Sequence, residues 1–141
     1  MNGSTVSAGP LRPIPERLYE WFNSLPGRTA SVTESELRDM WTEDCVMIAN
    51  GELKCSGLPA FARHFNEIRS KLTSWRVQLP IDMRVAAEDH VAVYYHIDMV
   101  RTDGVAGKAL VAAFFNVRDG KAASMTEIVH FEGAHLELQN H

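Results

Sequence analysis

Residues 90–132 read HVAVYYHIDMVRTDGVAGKALVAAFFNVRDGKAASMTEIVHFE. Three runs rich in valine, aromatic and alanine residues, at about 91–102, 105–118 and 121–132, are separated by Asp103-Gly104 and Asp119-Gly120. Asp-Gly tolerates the positive φ angles of tight hairpins, so the runs read as consecutive antiparallel strands. A fourth strand precedes them. Val77, Leu79, Ile81, Met83 and Val85 alternate with Gln78, Pro80, Asp82 and Arg84, the period of a strand with one wet face. Pro80 cannot donate to a ladder and marks an edge or a bulge.

Upstream of residue 77 the period lengthens to that of helices. Pro13 and Pro15 suit a first helical turn, Leu18, Trp21, Phe22 and Leu25 form one apolar face, and Pro26-Gly27 ends the helix. Thr33-Glu34-Ser35-Glu36 has the form of a capping box, leading into a short helix with Leu37, Met40 and Trp41 on one side. Cys45–Ile48 reads as a short strand turning at Asn50-Gly51. After Ser56-Gly57 a third helix buries Phe61, Phe65, Ile68 and Leu72. Helices first and meander second imply an α+β fold: a cone-shaped, curved antiparallel β-sheet packed against three N-terminal helices, with a pocket at the open end. The expected organisation is a flexible N-terminus at 1–12, one domain at 13–133 and a C-terminal tail at 134–141.

The 141 residues suffice for one core, and 45% hydrophobic with 23% charged residues is a globular composition. A net charge of −4 without a Lys/Arg cluster argues against nucleic acid or an anionic membrane as partner. Neither a membrane-length apolar run nor a signal-peptide pattern is visible, so a cytoplasmic protein is expected. Cys45 and Cys55 fit reduced, buried thiols in that compartment, although their spacing around Asn50-Gly51 also admits a disulfide. No ligand spacing for a metal is present, and neither metal nor organic cofactor is expected. The expected partners are a hydrophobic small molecule and a second copy of the chain.

Turn length decides which side chains meet, because a one-residue slip reverses a strand's faces. If Asp103-Gly104 is a two-residue turn and Arg118-Asp119-Gly120 a three-residue one, His96, Val111 and Glu127 share a row. Tyr94, Asp98, Ala113, Phe115, Met125 and Val129 then lie on the same face. Glu127 stands in an apolar register, where burial raises its pKa, and a nearby Asp98 carboxylate would raise one of the pair further. Asp98 and Glu127 are therefore the expected acid/base pair, with His96 orienting one of them or stabilising an oxyanion. Tyr94, Trp41, Asn50, Val111, Ala113, Phe115, Met125, Tyr19 and His64 are the expected substrate-binding residues. The opposite face, with Val93, Tyr95, Ile97, Met99, Leu110, Ala112, Phe114 and Ile128, is too apolar to stay wet and is expected to form a homodimer interface.

From about Glu16 to Gly133 the chain resembles the nuclear transport factor 2-like fold, most closely its SnoaL-like and ketosteroid-isomerase-like branch. The resemblance rests on the first helix, on Trp41-Thr42-Glu43-Asp44-Cys45-Val46, on Asn50-Gly51 and Ser56-Gly57 before a helix, and on the closing Asp119-Gly120-Lys121-Ala122-Ala123-Ser124-Met125. In ketosteroid isomerases the general base and an oxyanion-hole aspartate would fall at Ile48 and near Ala113, which argues against steroid isomerisation by that route. Limonene epoxide hydrolases resemble the chain differently. Their Arg-x-Asp pair and second Asp match His96-Ile97-Asp98 and Glu127, and their water-holding residues fall near Met47 and Asn50.

The resemblance implies cofactor-free acid/base chemistry of isomerase, cyclase or hydrolase type on a polyketide-, terpenoid- or steroid-like compound. The alternative is a non-catalytic binding or dimerisation module of the same fold, with Glu127 neutralised by a fixed cation such as Arg84, Arg101 or Lys108 and the cone filled by side chains.

Overall fold

The computed structural model describes residues 13–140. The expected flexible N-terminus at 1–12 and His141 lie outside the described residues. The helices are α1 (Glu16–Asn23), α2 (Glu34–Leu37) and α3 (Leu58–Lys71). The strands are β1 (Trp41–Ala49), β2 (Glu52–Ser56), β3 (Leu72–Val77), β4 (Met83–Ala87), β5 (His90–Arg101), β6 (Ala106–Arg118) and β7 (Lys121–Gly133). They form one curved sheet in the order β2-β1-β7-β6-β5-β3, with β4 also paired to β5.

The α+β architecture has the expected layers, with two refinements. The sheet is mixed, because β1 runs parallel to β7, Met47 opposite Met125 and Ala49 opposite Glu127. The strand expected across 77–85 is two strands: β3 pairs with Ile97–Arg101 of β5 and β4 with His90–Tyr94, while the Pro80 segment belongs to neither. Proline's missing donor explains the interruption. Trp41, expected on the second helix, instead opens β1.

Local chemistry sets the helix ends. Thr33 accepts the Glu36 amide and Glu36 accepts the Thr33 amide, closing the capping box. The Glu36 carboxylate also accepts from Arg28 and from Trp21 Nε1 at 2.9 Å, which ties α1 to α2. The Arg28 hydrogen bond, with smaller contributions from Trp21 and Thr33, lowers the Glu36 pKa to about 2. Leu18 and Tyr19 of α1 and Phe61, Phe65 and Ile68 of α3 pack into one core with Val93, Tyr95, Met99, Val111 and Phe115 of the sheet. Cys45 and Cys55 are free, buried thiols, pushed up to about 12 by burial.

Candidate active site

Two turns and a bulge determine what faces the core. The β5–β6 loop contains three residues, Thr102-Asp103-Gly104: Val100 pairs with Ala106, Arg101 N donates to Val105 O at 3.0 Å, and Gly104 has φ +86°. That is one residue more than Asp103-Gly104 alone, so Tyr95 rather than His96 stands opposite Val111. The β6–β7 turn is the shorter one. Arg118 pairs with Lys121 across Asp119 (φ 55°) and Gly120 (φ 76°), a two-residue turn with both φ values positive.

By itself that turn would send Glu127 outward. A bulge after it compensates: Val117 pairs with Ala122 but Asn116 with Ser124, leaving Ala123 as the extra residue. Glu127 thus returns to the inner face, opposite Ala113 on one side and Ala49 on the other.

The inner face encloses a cavity of about 120 Å³. Its walls include Leu18, Tyr19 and Phe22 of α1, His64, Phe65 and Ile68 of α3, Trp75 of β3, and Tyr95, Ile97 and Met99 of β5. Val111, Met125, Glu127, Val129 and Phe131 complete the sheet side. Leu136 and Leu138, beyond β7, close it.

Glu127 is the one carboxylate of this lining, and desolvation raises its pKa from 4.5 to about 7. Among the described residues its side chain has no ion-pair or hydrogen-bond partner: Arg84 pairs with Glu16 at 2.8 Å, and Arg101 with Asp103 at 2.6 Å. Tyr19 and Tyr95 stack with ring centroids 4.4 Å apart. Burial pushes both phenols well above their ordinary range, and the Glu127 charge adds to the effect on each. The buried Tyr19 hydroxyl lies beside the Tyr95 phenol, close enough for each to affect the other's ionisation, but makes no hydrogen bond of standard geometry among the described residues.

Of the residues expected from sequence, Tyr19, His64, Val111, Met125 and Glu127 line the cavity. Ala113 and Phe115 lie on the inner face but are buried behind the lining. His96 and Asp98 are corrected to the outer face by the three-residue loop: His96 Nδ1 lies 3.1 Å from Asp82 Oδ2, and Asp98 accepts from Gln78 Nε2 at 2.8 Å. Asp98 is therefore on the opposite face from Glu127, and no carboxyl pair forms.

Tyr94 also faces outward, opposite Met83. Glu88-Asp89 closes a tight turn that sets Met83 opposite Tyr94, and both residues lie on the exposed face. Trp41 is fully buried against Phe61, with ring centroids 4.5 Å apart, and is not in the cavity wall. Asn50 holds the backbone of β7 instead of a ligand: its Oδ1 accepts from Val129 N at 2.9 Å. Conversely, Val93, Tyr95 and Met99, expected at a subunit interface, are core residues.

A SnoaL-like domain model matches residues 17–125. The chain belongs to the SnoaL-like domain family. Solved structures agree on the fold of this SnoaL-like protein. An NTF2-like protein from Anabaena variabilis ATCC 29413 is similar at 21% identity, over 84% of this chain and 87% of that one, with a TM-score of 0.66. An NTF2-like protein from Exiguobacterium sp. 255-15 is 13% identical over 82% and 96% of the two chains, with a TM-score of 0.67. An LEH-like epoxide hydrolase of M. tuberculosis is 14% identical over 69% and 70%, with a TM-score of 0.57. No curated protein matches the sequence.

Among the described residues of this SnoaL-like domain, no group of three His, Cys, Asp or Glu side chains is arranged to hold a metal ion. Among the described residues, no helix is long and apolar enough to cross a membrane. The chemical capacity of the cavity resides in one carboxyl near neutrality, two phenols and the His64 imidazole in a largely apolar surround.

Tyr95, Leu136 and Leu138 were missed from sequence. Tyr95 was assigned to the wrong face by the loop length. The leucines carry a legible signal, the alternation Ala134-His135-Leu136-Glu137-Leu138-Gln139, within the segment expected as a C-terminal tail.

Proposed function

We propose that this SnoaL-like protein is an enzyme that moves a proton within a small, largely apolar carbonyl compound, in an isomerisation or cyclisation, with Glu127 as the acid/base group. The observation that carries this reading is a lone carboxyl facing an apolar cavity, with a pKa of about 7 and no cation beside it among the described residues. At neutral pH such a group is present in both forms, so it can take a proton from carbon and return it. Tyr19 and Tyr95, kept neutral by burial, are donors for the oxygen on which negative charge develops. Against the rival reading of a filled, cation-neutralised module stand the cavity, the pairing of Arg84 and Arg101 elsewhere, and the register of Lys108, which lies opposite the outward-facing Asp98. Epoxide hydrolysis with paired carboxylates is disfavoured by the outward position of Asp98.

The test needs no knowledge of the natural substrate. Incorporation of deuterium from D2O at the α-carbon of cyclohexanone, followed by NMR, should be accelerated by the protein and fall to the buffer rate in Glu127→Gln. Equal exchange in both proteins would sink the assignment.

We further propose that a second copy covers the outer sheet face. Met83, Tyr94, Ala112 and Ile128 form one cross-strand row and Val85, Ala92, Phe114, Thr126 and Ile48 the next. Met83, Val85, Phe114 and Ile128 are 53–66% exposed. Apolar side chains contiguous across two rows favour coverage by another apolar face.

A further inference from the structure

We propose that residues 134–140 form a strap that is part of the ligand site, with Leu136 and Leu138 setting the size of molecule the cavity accepts. The inference rests on the cavity being the ligand site, and its test is separable from the role of Glu127. The segment has no regular secondary structure, and its burial alternates: Ala134 is buried and Leu136 and Leu138 are half-buried against the cavity, while His135, Glu137 and Gln139 face solvent.

The root of the strap is fixed by backbone approach. Gly133 has φ +80°, and a Cβ on Gly107 would lie 2.5 Å from Ala134 N, so the chain can cross β6 there only because residue 107 has no side chain. Beyond the root the strap is held at its edges by polar clips. Arg101 Nη1 donates to His135 O at 3.0 Å, Lys71 Nζ donates to Glu137 O, and the Glu67 carboxylate accepts Gln139 N at 3.1 Å. Lys71 also pairs with Glu67 at 3.0 Å, and Lys54 donates to Asn140 at 3.1 Å.

These clips are at the surface, where water competes for each partner, so they release more readily than a sheet ladder. Of the strap, Leu136 and Leu138 are the residues that line the cavity. With them in place the cavity is about 120 Å³. An apolar cavity of about 150 Å³ holds one benzene ring, so the closed site is matched to a single-ring ligand. A fused two-ring ligand exceeds that volume, and where it meets the strap it has to displace Leu136 or Leu138.

Binding of cyclohexanone and 2-decalone, read by NMR shifts of the Tyr95 and Val111 amides, tests this directly. Shortening both side chains in Leu136→Ala/Leu138→Ala should lower the Kd ratio of decalone to cyclohexanone by about tenfold, the scale of hydrophobic-pocket discrimination. Leu138→Val, which preserves the packed strap, should shift the ratio in the same direction by a smaller amount, and Leu138→Trp in the opposite direction. An unchanged ratio in Leu138→Val and Leu138→Trp, or no binding of either ketone to any protein, would overturn the proposal. In a Glu127→Gln background the ratio should respond to the leucines in the same way. Lost exchange activity with an unchanged ratio therefore removes the strap alone, and a shifted ratio with intact exchange in Glu127→Gln removes the acid/base assignment alone.

Discussion

Glu127 faces Ala113 across β6 and β7, so the cross-strand neighbour of the buried carboxyl is a methyl group. With no second carboxylate and no cation there, desolvation by itself accounts for the rise of its pKa from 4.5 to about 7. Between those values the folded state holds a proton that the unfolded state has released. Stability is therefore highest below pH 4.5 for this group, falls as pH rises, and is flat above about 7, a loss of about 3 kcal/mol. Urea unfolding at stepped pH should show this decline in the wild type and lose it in Glu127→Gln, with the variant the more stable protein at pH 8. Glu36 contributes in the opposite sense: its Arg28-lowered pKa gives stability that is present above 4.5 and lost as pH falls toward about 2.

The same carboxyl fixes the pH profile of the proposed reaction. If Glu127 acts as base in the free enzyme, exchange activity rises with pH through about 7 and then levels. Glu127→Gln should lose roughly 10²–10⁴-fold in rate. His96→Ala and Asp98→Asn, on the outer face, should retain the wild-type rate and profile. A loss in Asp98→Asn comparable to that in Glu127→Gln would return the paired-carboxylate mechanism.

Tyr19→Phe separates function from stability. Its buried hydroxyl makes no hydrogen bond of standard geometry among the described residues and lies beside the Tyr95 phenol, so removing it sheds a desolvated polar group at the cost of at most that one weak contact. The variant should be at least as stable as the wild type in thermal melts. Activity should nevertheless fall by on the order of tenfold or more, because a donor to the developing oxyanion is gone. A destabilised but fully active Tyr19→Phe would show the phenol to be a packing element.

Layer order and most element types were legible from periodicity and turn residues, because those signals are local; the inner position of Glu127 is expected through a three-residue turn that the structure does not form. The pocket row was not legible, since it depends on the sum of three one-residue choices. The first loop recruits Thr102, and this alone exchanges His96 and Asp98 for Tyr95 and Ile97. The second turn is shorter than expected, and Ala123 restores the parity by bulging. Asp-Gly is compatible with two- and three-residue loops, and an alanine carries no bulge signal, so propensity could not choose between them. Deleting Ala123 should accordingly force Met125, Glu127 and Val129 toward the outer face. The melting temperature should drop by more than roughly 10 °C, measured by circular dichroism. A stable, active deletion variant would mean the register can be corrected elsewhere.

The outer face gives the remaining expectation. Phe114 and Ile128 sit in adjacent cross-strand rows on neighbouring strands, both more than half exposed, near the middle of the sheet. If a second copy covers them, introducing like charges at both sites places cations against an apolar partner surface, and by symmetry against each other. Phe114→Lys/Ile128→Lys should therefore sediment as a monomer where the wild type sediments as a dimer. The cavity lies on the opposite face of the sheet, so ketone binding measured by Tyr95 amide shifts should persist in the variant. A wild type that is monomeric at all concentrations tested would leave the apolar rows without the partner proposed for them, and a dimer unaffected by both lysines would put the interface elsewhere.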